Sequence, residues 1–168
     1  MDQEVNLSQF LGTPFFEEWQ HLKRIFPDAG ESEWHRSEIA ARALVAWNTS
    51  KDTVLAALAL PFVEQRLLPQ GELRRLFGSD PVEIAVRFVE RFDILAGYPS
   101  YSQGSYNYQL RYLFRQAYLE LPSPDLILLV LANNVASICS GSVDPEIWAE
   151  ITLEVFIPLA EILGLWRL

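Results

Sequence analysis

The side chains able to do chemistry are few. The chain holds two histidines, His21 and His35, and one cysteine, Cys139. A single thiol excludes a disulfide within the chain and any cysteine-cluster zinc site. His21 stands in E-E-W-Q-H-L-K-R on an amphipathic pattern and reads as a solvated side chain. His35, in E-S-E-W-H-R-S-E, has Glu31, Glu33 and Glu38 as acidic neighbours. A metal reading could start there, but such a site needs at least three converging ligands. Cys139 lies in a stretch of small residues and is expected to be an inert core thiol. Asn133 and Asn134 interrupt an apolar helical run. They are either polar core residues with satisfied hydrogen bonds or the lining of a pocket. The stretch from Gly97 to Tyr108, G-Y-P-S-Y-S-Q-G-S-Y-N-Y, carries four tyrosines. It is either an ordinary ordered loop or a binding surface, because tyrosine offers a large and rigid contact area. No G-x-S-x-G, phosphate-cradling glycine loop or H-E-x-x-H occurs in the sequence.

The elements that must position these residues are helical. Asp80-Pro81, Ser123-Pro124 and Asp144-Pro145 each place a capping side chain before a proline. The cap accepts a backbone N–H, and proline is harmless where its own N–H would lack a partner anyway. After Asp80-Pro81, apolar residues recur at Val82, Ala85, Val86, Val89 and Phe92, which is one helical face. After Asp144-Pro145 a wide apolar stripe runs to Leu163, which predicts a helix buried on most sides, with Pro158 inside it expected to kink the helix or break one hydrogen bond. Earlier, Ser8 is expected to cap one helix through Phe10, Leu11, Phe15, Phe16, Trp19 and Leu22. A second helix is expected from about Glu33 to Trp47. A third starts near Ser50 and carries T-V-L-A-A-L-A-L before Pro61. A short one follows Pro69 and stops at Gly78, and another runs through Leu110, Leu113, Phe114, Ala117 and Tyr118. No period-two run sits between turn signals, and no repeat or long linker divides the chain. The expected fold is all-α, a single helical bundle of about eight helices spanning 1–168.

Composition agrees with one packed domain. The chain has 168 residues, of which 50% are hydrophobic and 12% aromatic, too apolar for intrinsic disorder. Thirteen Lys and Arg against 22 Asp and Glu give a net charge of −9, which argues against a nucleic-acid partner. The longest apolar run, Leu126 to Ala132, falls far short of the roughly 18–20 residues of a membrane span. The acidic N-terminus lacks the basic region of a signal peptide, so a cytoplasmic location is expected, with no membrane partner.

Six segments, in order, resemble the hydrolase domain of the RelA/SpoT family. T-V-L-A-A-L-A-L-P-F-V-E-Q (Thr53 to Gln65) resembles the family's T-V-x-A-A-L-L-H-D-x-x-E-D, its HD motif. Upstream, Gly30-Glu31 fall on the G-E of G-E-P-Y-x-x-H-P. Downstream, E-L-R-R-L-F-G (Glu72 to Gly78) falls on a short helix ending L-F-G, and V-R-F-V-E-R-F-D-I-L (Val86 to Leu95) resembles V-E-G-V-[ST]-K-L-D-K-L after one inserted residue. L-I-L-L-V-L-A-N-N (Leu126 to Asn134) resembles V-I-L-I-K-L-A-D-R. I-T-L-E-V-F-I-P-L-A-E-I-L-G-L (Ile151 to Leu165) resembles E-T-L-E-I-Y-x-P-L-A-H-R-L-G-I. The resemblance implies an HD-domain-like helical bundle. In the family, the domain removes pyrophosphate from guanosine tetraphosphate in the stringent response, using one divalent metal, usually manganese.

The same register implies that the metal ligands are gone. The family's first metal-binding His falls on Arg36, beside His35; the His and Asp of its doublet fall on Leu60 and Pro61; its later Asp falls on Asn133. Of the downstream Glu-Asp pair, Glu64 keeps the Glu and Gln65 replaces the Asp, while Ala136-Ser137 stand where the family has H-N. A hard divalent ion takes oxygen anions or imidazole. Leu60 and Pro61 offer no donor, Asn133 a neutral amide, and Arg36 repels a cation. Without the ion, nothing lowers the pKa of an attacking water. The resemblance therefore implies a pseudoenzyme with no cofactor. It would act as a regulatory or protein-interaction module, through a protein partner or a second copy of itself. Trp166 and Leu168, at the apolar end of the chain, suggest a dimer through the terminal helix. Two alternatives stay open. A sensor would bind a guanine nucleotide in a residual pocket drawn from His35, Arg36, Glu64, Arg91, Asp93, Arg115, Asn133 and Asn134. Against it, Pro27-Asp28-Ala29 replace the basic residues that the family places before G-E. A residual hydrolase would rebuild its site from His35, Glu64 and Asp93.

Overall fold

The computed structural model describes residues 6–27, 30–96, 123–141, 149, 152–162 and 164, with the side chains of 91–96, 154, 155, 159 and 162 left aside. The architecture is all-α, as expected, and the described residues contain no strand. The helices are α1 (Leu7–Leu11), α2 (Thr13–Ile25), α3 (Glu31–Ala46), α4 (Lys51–Glu64), α5 (Gln70–Phe77), α6 (Ser79–Ala96) and α7 (Pro124–Cys139). A π-helical turn (Thr152–Phe156) then leads into α8 (Ile157–Ile162).

Helix α4 lies at the centre, because its sequence allows nothing else. Every residue from Thr53 to Phe62 is buried. A helix that is apolar all round has no face to offer to water and must be enclosed. Helices α3, α6 and α7 enclose it, and α3 packs against α7 as well. Its N-terminus is fixed by Ser50, whose side chain accepts from the Thr53 N–H. Ser123 does the same for α7, accepting from the Leu126 N–H with Pro124 following in the first turn.

Several local expectations need correcting. The first helix is two: Gly12 adopts φ 93° between α1 and α2, a conformation that a residue with a Cβ rarely takes. Asn6, not Ser8, is the cap, accepting from the Ser8 and Gln9 N–H groups. Asp80 does not cap α6 either, because the helix already begins at Ser79 and Asp80 lies in its first turn. Helix α4, for which the sequence set no end, runs through Pro61 to Glu64. Cys139 is exposed rather than a core thiol, since α7 ends there and its last turn leaves the packed face. Pro158 does coincide with a change of winding, standing one residue after the π turn gives way to α8, but the segment is not buried on most sides, since Leu153 and Ile157 are exposed. Helix α3 runs from Glu31, slightly earlier than expected. Asp144-Pro145, the tyrosine-rich stretch, the helix expected around Leu110 to Tyr118, and the terminal Trp166 and Leu168 lie outside the described residues.

Aromatic rings tie the helices around the C-terminal half of α4. Phe62 contacts Trp34 of α3, with ring centroids 5.0 Å apart, and lies 5.7 Å from Phe77 of α5. Phe26 closes edge-on to Phe62 at 6.0 Å, and Trp34 meets Trp19 of α2 edge-on at 6.3 Å. Edge-to-face pairs contribute about 0.5–1.5 kcal/mol each beyond the area they bury.

Candidate functional site

The positions that the family resemblance marks as catalytic fall on α3, α4 and α7. Leu60 and Pro61 are buried within α4, at 1% exposure for Leu60. A proline inside a helix has no N–H for the carbonyl four residues back and its ring crowds that carbonyl. Here the orphaned group is the Ala57 carbonyl, and Ser37 Oγ of α3 donates to it at 2.8 Å. The next carbonyl, Leu58, accepts from Trp19 Nε1 of α2 at 3.3 Å. Side chains from two neighbouring helices thus bond the two carbonyls nearest the proline ring. Where the register implies an Asp metal ligand, the chain carries a proline held by structural hydrogen bonds.

Arg36 is not a free cation. Its Nη2 donates to Glu64 Oε2 at 2.7 Å and lies 2.5 Å from Glu33 Oε2, and all three side chains are largely buried. Glu33 is one turn back on α3, and Glu64 is the last residue of α4. Partial burial makes this triad stronger than an exposed pair, because water screens it less. A charged guanidinium thus already sits between two carboxylates at the position where the register puts a metal-binding histidine. The residues at these positions therefore do not fit the manganese that the RelA/SpoT family uses. No group of three or more His, Cys, Asp or Glu converges in a metal-binding arrangement among the described residues.

Among the described residues of the expected pocket, Glu64 is the one bonded to Arg36. His35 and His21 are both exposed, in line with the reading of His21 as solvated. Gln65 is exposed just beyond α4. Asn134 is buried at 4% exposure, and Asn133 is half-buried. Both side-chain oxygens are buried and find no hydrogen-bond partner among the described residues, contrary to the reading of satisfied core amides. Successive helical residues leave the axis about 100° apart, so the two amides do not act as one bidentate group. The hydroxyl of Ser137 is turned back onto its own helix, donating to the Asn133 carbonyl at 2.8 Å. The side chains of Arg91 and Asp93, and Arg115 altogether, lie outside the described residues.

A second polar cluster, which the sequence reading did not single out, joins the starts of α4 and α7. Thr53, fully buried, donates through Oγ1 to Asp125 Oδ1 at 2.6 Å, and Ser50 Oγ reaches the same oxygen at 3.0 Å. Beside it opens a cleft of about 450 Å³, walled by Asp52, Asp80, Glu83, Arg87 and Asp125 among others. Arg87 pairs with Glu83 one turn earlier on α6. The only sequence signal for this cluster is the Ser-x-x-Thr spacing at the start of α4 and the acidic residue after Ser123-Pro124. Neither indicates that the two helix starts meet.

Among the described residues, no helix is long and apolar enough to cross a membrane. Comparison with known proteins finds no matching family model, no significantly similar curated protein and no significantly similar solved structure.

Proposed function

We propose that this chain is a metal-free counterpart of the alarmone hydrolase domain that its sequence resembles, and that it works as a regulatory or protein-interaction module rather than as an enzyme. The observation that carries this reading is the engagement of Arg36 by Glu33 and Glu64. A guanidinium stands where the register would put a metal-binding histidine, and its charge is already balanced by two carboxylates. The burial of Leu60 and Pro61 supports the same reading, because neither offers a donor atom. With Arg36 committed, the nucleotide-sensor alternative loses the one described cation at this position that would attract a phosphate. The net charge of −9 opposes a polyphosphate in the same direction. Contact with a protein partner or a second copy is supported by Leu153 and Ile157, which stand 65% and 41% exposed in the terminal helical segment.

Incubation of the purified protein with guanosine tetraphosphate and manganese tests the proposal. No pyrophosphate release above a protein-free blank is expected. Turnover above that blank, abolished by a chelator, would overturn it.

A further inference from the structure

We draw no further inference here: the strongest candidate, the acidic cleft of about 450 Å³ at the first turns of α4, α6 and α7, is a carboxylate cluster at helix N-termini whose charges offset the helix dipoles and engage Ser50, Thr53 and Arg87, and nothing else in it points to a ligand.

Discussion

At its C-terminal end α4 is sealed, and at its N-terminal end it borders open space. Around Leu60, Pro61 and Phe62 the neighbours are aromatic rings, a serine hydroxyl spent on a backbone carbonyl, and an arginine held by two carboxylates. Around Ser50, Asp52 and Thr53 the neighbours are a carboxylate of α7 and a cleft with acidic walls. The sealed end is the one that the family register marks for chemistry. The open end is the one with room for a ligand, yet its carboxylates already serve the helix starts. Negative side chains near a helix N-terminus are favourable by about 0.3–1 kcal/mol each through the macrodipole. A volume between helices and the residues suited to fill it are thus separated along one helix. Concavity alone does not identify a site, nor does a register of residue types.

The difference between the two ends can be broken by substitution. Phe62→Ala should have the largest effect, lowering unfolding free energy by about 3–5 kcal/mol in chemical denaturation, because it empties the junction of α2, α3, α4 and α5. A loss no larger than that of a substitution at the open end would remove the contrast. Ser37→Ala leaves the Ala57 carbonyl buried and unpaired, and should cost about 1–3 kcal/mol. In a Pro61→Ala background the restored N–H can serve that carbonyl, so the serine should matter less there. A double-mutant cycle in denaturant should show this as a coupling of about 1 kcal/mol. Equal losses in both backgrounds would mean that the hydroxyl does not compensate for the proline.

At the open end, Asp125→Ala removes the acceptor shared by Ser50 and Thr53, and should cost about 1–2 kcal/mol in thermal or chemical unfolding. The smallest effect expected is a gain. Arg66, just past α4, holds φ 52°, and the Leu67 N–H closes on the Phe62 carbonyl at 3.0 Å. This left-handed turn normally favours glycine. Arg66→Gly should raise stability by about 0.5–1 kcal/mol, visible as a higher melting temperature.

What could be read in the chain followed the range of each interaction. The caps at Ser50 and Ser123 act within three residues, so their positions were legible. The apolar identity of α4 was also legible, since no spacing of its residues leaves a polar face. The end of α3 before Asn48 was legible to within one residue, expected at Trp47 and found at Ala46, but the turns at Asn48 and Arg66 that close α3 and α4 were not. Both close with the left-handed turn that the eye seeks at glycine, and neither residue is one. The break at Gly12 was missed for the opposite reason: apolar residues on both sides continue a helical pattern, and only the positive φ interrupts it. Cys139 was misplaced because small neighbours suggest burial, whereas exposure depends on where α7 leaves its partners.

The sequence by itself determined the helical class, the acidity and the scarcity of metal ligands. These follow from composition and from periodicities of three or four residues. Tertiary structure decided how Pro61 is tolerated, what Arg36 holds and where Thr53 finds its acceptor. Those partners lie 20, 28 and 72 residues apart along the chain. No local propensity acts over such distances. Only packing brings a hydroxyl to a freed carbonyl, or a carboxylate to a guanidinium, and burial then makes each contact necessary.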